Sequence, residues 1–226
     1  MHNQAEYRYL PNSYDHLEGT LSDARQIVPE VLKLIQPRSV IDLGCGIGVF
    51  LSAFRESGVT DAVGVDGHWV DRARLKIPER DFLSADLRRP FTLERTFELA
   101  ISTETAEHLP AESAESFVES LTRLAPVVLF SAAVPFVPGN VHINCQWPSY
   151  WTRLFNARGF TAADAIRKRL WTNKKVHWCY SQTMIFFIKT TDLERYPLLA
   201  RDLVDEPNAC LDVIHPDYYL DVMNRQ

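Results

Sequence analysis

The stretch VIDLGCGIGVF, residues 40–50, runs an apolar strand into three alternating glycines and out into an apolar helix. Glycine lacks a Cβ, so such a turn bends sharply and lets backbone approach a ligand closely. A nucleotide suits it, but the dinucleotide fingerprint G-x-G-x-x-G does not fit. From Gly44 the third glycine position is Val49, and from Gly46 it is Leu51. That weighs against a nicotinamide dinucleotide.

Outward from this turn, strand-like apolar runs alternate with helix-length segments, the pattern of a parallel α/β sheet. Strands are expected at 39–43, 62–66, 81–83, 97–102 and 127–132. Helices are expected at 49–57, 68–76 and 111–124, where Phe117, Leu121 and Leu124 keep helical spacing. Ahead of the first strand, 22–35 reads as one or two helices interrupted near Pro29. After residue 132 the alternation stops. Residues 134–145, with Pro135, Pro138 and Gly139, read as a loop, and 148–157 as a helix ended by Gly159. Two strands near 160–166 and 178–190 complete a mostly parallel seven-stranded sheet with helices on both faces, followed by a helix at 192–204. The chain divides into an N-terminal lid or helical segment at 1–37, a core at 38–190 and an acidic tail at 191–226, all within one domain.

The chain has 226 residues, 46% hydrophobic and 23% charged, enough to bury a core without disulfides or metal staples. Lys plus Arg at 24 against Asp plus Glu at 29 gives 24 − 29 = −5, which weighs against a generic nucleic-acid coat. The longest weakly polar run, 124–137, is too short for a bilayer span and is broken by prolines. No secretory signal opens the sequence, and Cys45, Cys145, Cys179 and Cys210 are widely spaced, so reduced thiols and a cytoplasmic location are expected.

The run Asp42-Leu-Gly-Cys-Gly-Ile-Gly resembles motif I of the class I S-adenosylmethionine-dependent methyltransferases, and the likeness continues in order along about 38–190. The resemblance implies a Rossmann-like fold and S-adenosylmethionine as cofactor. It places the methionine end on Asp42, Gly44, Cys45 and Gly46, with Thr103 alongside. Asp66, followed by Gly67, would hold the ribose hydroxyls, since a carboxylate offers two acceptor oxygens to a vicinal diol. Asp86 would face the adenine amine, with Ala85 and Leu87 beside it.

The fourth strand ends in STETAEHLP, where Glu104, Glu107 and His108 fall at i, i+3 and i+4. If a helical turn begins there, all three project from one face. His142, from the loop after the next strand, is a fourth candidate. This set is similar to the divalent-metal site of two methyltransferase branches, acting on the terminal ribose of small RNAs and in ubiquinone biosynthesis. The similarity implies Glu104, Glu107, His108 and His142 as ligands. Mixed carboxylate and imidazole donors admit Mg²⁺, Mn²⁺, Zn²⁺ or Fe²⁺. In family members without a metal the glutamates of such a turn cap the helix and the histidine packs beneath the cofactor, which implies those places for Glu104, Glu107 and His108; His142 or His108 would then serve as general base.

The acceptor expected from these features is a hydroxyl on a small sugar-like or natural-product molecule. The alternatives are the 3′-terminal ribose of RNA, a small amine, or a partner subunit that binds cofactor without catalysis. Arg167, Lys168, Arg169, Lys174, Lys175 and Lys189, interleaved with Trp171, Trp178 and Tyr180, read either as an anion-binding rim or as a solvated hairpin. The helix with Trp147, Tyr150, Trp151 and Phe155 reads as core ahead of a substrate platform. Tyr7, Tyr9, Tyr14 and His16 read as a cofactor lid or a tail, and the oligomeric state is left open.

Overall fold

The computed structural model describes residues 17–139, 141–204 and 210–224. Tyr7, Tyr9, Tyr14 and His16, read above as a lid, lie outside the described residues. In chain order the elements are α1 (Leu17–Leu34), β1 (Ser39–Leu43), α2 (Val49–Glu56), β2 (Asp61–Asp66), β3 (Phe82–Ser84), β4 (Leu99–Thr103), α3 (Ala114–Leu124) and β5 (Val127–Ser131). There follow α4 (Pro148–Asn156), β6 (Phe160–Ala163), α5 (Arg167–Leu170), α6 (Trp178–Thr183), β7 (Ile185–Lys189), α7 (Pro197–Ala200) and α8 (Pro216–Asn224).

The strands form one seven-stranded sheet in the order β3-β2-β1-β4-β5-β7-β6. All neighbours pair parallel except β7, which runs antiparallel to both β5 and β6. Every residue of β1 and of β5 is buried, as expected of strands covered on both faces. One core cluster contains Ile27, Val31, Phe50, Phe54 and Phe186; the other contains Phe117, Leu121, Phe130, Trp151 and Phe155. The register sets Asp42 opposite Gly64 on one side and Ile101 on the other. The strand order reverses direction between β1 and β4, and ligands of open α/β sheets sit at the carboxyl ends of strands beside such a switch.

Several local expectations are corrected. Pro29 does not interrupt α1, which runs unbroken for 18 residues with Pro29 inside it. Pro29 is exposed, while Ala24, Ile27, Val28 and Val31 on the opposite side are buried, so core packing outweighs the lost backbone bond. Residues 68–76 hold only a 3₁₀ turn at Arg72–Arg74, capped by Asp71 accepting from Ala73 N. Lys76 N donates to Ile47 O at 2.8 Å, tying this segment to the glycine turn instead. The strand read at 178–190 is half helix: His177 caps α6 by accepting from Cys179 N, and β7 starts only at Ile185. The helix expected at 192–204 is split into a 3₁₀ segment at Thr190–Arg195 and the short α7, with Pro197 at the break.

The described part of the acidic tail is docked. Arg167, 3% exposed, forms an ion pair with Asp164 at 2.7 Å and donates to Gln182 O and Leu211 O. His215 N donates to Gln182 Oε1 at 2.7 Å, and Tyr218 stacks on Trp178 at 4.4 Å. Arg167→Ala is therefore expected to cost about 2–3 kcal/mol, measured by denaturant unfolding, since it orphans partly buried acceptors. A stability change within about 0.5 kcal/mol would contradict that role.

Candidate active site

The cofactor side is built on backbone that only glycine adopts easily. Gly44, Gly46 and Gly48 have φ of 88°, 53° and 83°. Gly44 N donates to Val65 O at 2.8 Å, hooking the turn onto the end of β2. A Cβ on Gly44 would lie 2.2 Å from the Thr105 side chain. Thr105 donates to Thr103 O at 3.1 Å, so Thr103, at the end of β4, joins the same turn. Cys45 is buried, and burial pushes its thiol well up, leaving it an inert filler.

Asp66 ends β2 with both oxygens occupied by main chain. Gly46 N donates to Oδ2 at 2.7 Å and Gly67 N to Oδ1 at 2.6 Å. Burial nevertheless raises its pKa to about 6. Asp42 is 2% exposed, one of its carboxylate oxygens has no partner, and burial, then the nearby Asp66, pushes its pKa well up. A buried Asp42 oxygen without a partner, and an Asp66 carboxylate with lone pairs to spare beside the same glycine turn, call for a ligand carrying hydroxyl donors and positive charge. S-adenosylmethionine has a ribose diol, an ammonium and a sulfonium, and the donor set fits it.

Asp86 follows β3 and is held by Arg88, whose Nε and Nη2 donate to its two oxygens at 2.8 and 2.9 Å. That pairing lowers its pKa, and each oxygen keeps a lone pair for an adenine amine. Leu87 is buried in the core beneath. Gly67 is the floor under Trp69: a Cβ there would lie 2.1 Å from the indole ring. Trp69 belongs to no motif named above; its one signal in the sequence is an aromatic three residues after the strand-end acid.

On the acceptor side the four expected ligands separate into three and one. The helical turn after β4 starts at Ala106, not Glu104, and spans Ala106–His108. Glu104 stands before it at φ 49°, so it does not share the face of Glu107 and His108. Its backbone N donates to Ser131 O at 3.1 Å, and its carboxylate accepts from Thr183 Oγ1 at 3.3 Å. One-face projection of all three is thereby corrected. Glu107, His108 and His142 do converge, each offering a ligand atom within 4.8 Å of the others. The two imidazoles meet edge to face at 4.9 Å. His108 Nδ1 lies 3.2 Å from Val141 O and His142 Nδ1 3.1 Å from Val137 O. Backbone contacts of this kind hold a ring nitrogen in one tautomer, as outer partners of metal-binding histidines do.

Glu107 is fully buried, and neither carboxylate oxygen has a partner. Burial, then the charge of Glu104, pushes its pKa well up; burial raises Glu104 to about 7. His142 is half-buried and its pKa is lowered, so it is neutral near pH 7, the form that ligates metal or accepts a proton. Thr183 and Tyr180 complete this side from α6. Tyr180 packs edge-on against Phe50 at 5.5 Å. Thr183 has no signal in the sequence, where the segment reads as strand, and Tyr180 was read above with the basic stretch.

These buried acids set a pH dependence. Unfolded carboxyls titrate near about 4, whereas in the fold Asp66 and Glu104 titrate at about 6 and about 7. Between those limits the folded state binds more protons, so stability falls as pH rises. His142 and His177, lowered by burial, act oppositely through about pH 6.5, but only two half-buried rings oppose four buried carboxyls. The ligand-free protein should melt at lower temperature at about pH 7.5 than at about pH 5. A melting temperature that climbs over that range would contradict these assignments.

The basic stretch serves the chain's own acids. Arg167 pairs with Asp164, Lys168 with Asp202, Arg169 with Glu30 and Lys174 with Asp217. Lys175 and Lys189 are exposed. Trp171 and Trp178 pack on His215 and Tyr218 of the tail. The anion-rim reading thus loses four of its cations. On α4, Trp151 and Phe155 are core, with Phe155 stacked on Phe187 at 3.8 Å.

The family model described as "Methyltransferase domain" matches residues 15–165. With this fold and cofactor site, the chain belongs to the class I S-adenosylmethionine-dependent methyltransferases. Solved structures share the fold at low identity. The methyltransferase domain of a bacterial Hen1 is 18% identical with a TM-score of 0.51, covering 74% of this chain and 97% of that one. DesVI of Streptomyces venezuelae is 16% identical with a TM-score of 0.57, covering 78% and 94%. An O-methyltransferase homologue from Nostoc punctiforme is 14% identical with a TM-score of 0.60, covering 79% and 59%. A search of curated protein sequences finds no match. Among the described residues no helix is long and apolar enough to cross a membrane.

Proposed function

We propose that the protein transfers a methyl group to a hydroxyl of a small, sugar-like or natural-product acceptor, with a divalent cation held by Glu107, His108 and His142. The observation that carries this reading is the fully buried Glu107, with both oxygens unpartnered beside two imidazoles. A buried carboxylate without a partner is costly and is retained where a cation compensates it. The likeness of the fold to an O-methyltransferase homologue supports an oxygen acceptor.

When bound, S-adenosylmethionine supplies an already activated methyl, and a divalent cation lowers the pKa of a coordinated hydroxyl. The chain's own work is orientation and proton removal. Asp66 and the glycine turn fix the nucleoside, and Asp42 receives positive charge at the methionine end. His142, neutral and tethered through Nδ1 to Val137 O, has one other ring nitrogen, which would hold the cation; without a cation that same nitrogen would take the acceptor's proton. Glu104 and Thr183 present a carboxylate and a hydroxyl to the acceptor's other polar groups.

Transfer from tritiated S-adenosylmethionine into pooled sugar and phenol acceptors, with elemental analysis of the enzyme, tests this. Chelation should reduce transfer about a hundredfold, and Mg²⁺ or Mn²⁺ should restore it. Full activity in metal-free enzyme would overturn the cation. Transfer into amines but not hydroxyls would overturn the acceptor class, the two buried glutamates then pairing with an ammonium.

A further inference from the structure

Residues 134–139 and 141–144 lie between β5 and α4, against the Glu107 turn. The loop is fastened to that turn at several points. Ile143 N and Asn144 N donate to Glu107 O at 2.9 and 3.0 Å, His108 Nδ1 meets Val141 O, and His142 Nδ1 meets Val137 O. Val137 N bonds back to Val134 O at 3.2 Å. Within this tied loop two residues hold left-handed backbone that their side chains disfavour: Phe136 at φ 69° and the β-branched Val141 at φ 60°. Each such residue costs about 1–3 kcal/mol, and strain of this kind gathers at ligand clamps.

The strain secures an unusual exposure. Phe136 is 94% exposed, the most open large apolar side chain among the described residues, and Ile143, next to His142, is 41% exposed. A phenyl ring left in water forgoes about 1.5–3 kcal/mol of burial. A backbone pinned to the metal-ligand turn but presenting an aromatic ring outward is a built feature. It is continuous with the acceptor side, because Val137, the neighbour of Phe136, bonds the imidazole of His142.

We infer that Phe136, with Ile143, is an acceptor-specificity residue, and that the acceptor carries an aromatic or other flat apolar group beside its reacting hydroxyl, which packs on the Phe136 ring. This rests on the hydroxyl-acceptor reading above and narrows it. An unsubstituted sugar offers that ring only the C–H groups of one face, whereas an aryl glycoside or a glycosylated aromatic product buries more of it and adds an aromatic pair. Offset or edge-to-face aromatic pairs add about 0.5–1.5 kcal/mol beyond area burial.

The test compares methyl β-glucoside with phenyl β-glucoside, titrated by ligand-detected NMR into protein saturated with S-adenosylhomocysteine and Mg²⁺. Wild type should prefer the phenyl compound about tenfold or more, with saturation strongest on its ring protons. Phe136→Ser should cut that preference to about threefold or less, and Phe136→Leu should restore part of it. S-adenosylhomocysteine affinity in both variants should stay within about twofold of wild type, which also shows that they fold. No preference in wild type, no binding of either glucoside, or a preference unchanged in Phe136→Ser would overturn the inference. So would a wild-type dimer that Phe136→Ser converts to monomer in sedimentation, since the ring would then belong to a self-contact. A phenyl preference that persists after chelation separates the two readings, sustaining this one while removing the cation.

Discussion

Asp66→Ala should weaken S-adenosylmethionine binding about a thousandfold, equivalent to about 4 kcal/mol, as read by isothermal titration calorimetry. Each hydrogen bond from a ribose hydroxyl to the carboxylate is charge-assisted and contributes about 1.5–3 kcal/mol, and a vicinal diol makes two. The carboxylate also anchors the pocket itself, through Gly46 N at 2.7 Å and Gly67 N at 2.6 Å. Removing it leaves both amides without acceptors and loosens the turn that faces the methionine end. Asp66→Asn keeps one carbonyl acceptor and should lose less, about thirtyfold. An Asp66→Ala protein that binds within about threefold of wild type would show the nucleoside to sit elsewhere.

Glu107→Gln should cut methyl transfer about 10²–10⁴-fold while making the ligand-free protein more stable. The two effects have one cause. Glu107 is fully buried with both oxygens unpartnered, and its charge is opposed by burial and by Glu104. Replacing it by a neutral isostere relieves about 1–2 kcal/mol at about pH 7.5, a rise of about 4 °C in melting temperature for a chain of this size. As pH falls, the upward shift favours the neutral wild-type carboxyl in the fold, and the difference should shrink toward about pH 5. Adding Mn²⁺ should raise the melting temperature of wild type and not of the variant. A variant that melts lower than wild type in chelator at neutral pH would contradict the picture of an acid held at a cost for function.

How legible this was in the sequence depended on how local each cause is. The glycine turn was legible because positive φ at Gly44, Gly46 and Gly48 is a backbone demand few other residues meet. Five parallel strands were legible because burial on both faces writes a continuous apolar run. The convergence of Glu107, His108 and His142 followed from topology: β4 and β5 are neighbours, so the loops after them meet. Glu104 was misjudged because spacing alone does not say where a helical turn begins. One φ of 49° at Glu104 moves the start to Ala106 and turns its carboxylate to Thr183. The basic stretch stayed open between a rim and a solvated hairpin for a different reason. Glu30, Asp202 and Asp217, which pair with Arg169, Lys168 and Lys174, are remote in sequence, and nothing local announces them. Thr183 was hidden by α6, whose cap is a histidine, an uncommon N-cap type.

The central claim is that the glycine turn and Asp66 hold S-adenosylmethionine against the Glu107, His108 and His142 turn. A crystal structure of the protein with S-adenosylhomocysteine and Mg²⁺ or Mn²⁺ tests it most directly. The ribose hydroxyls should lie on the Asp66 carboxylate, the amino-acid end over Gly44 and Gly46, and metal density between Glu107, His108 and His142. A nucleoside bound away from Asp66 would contradict it.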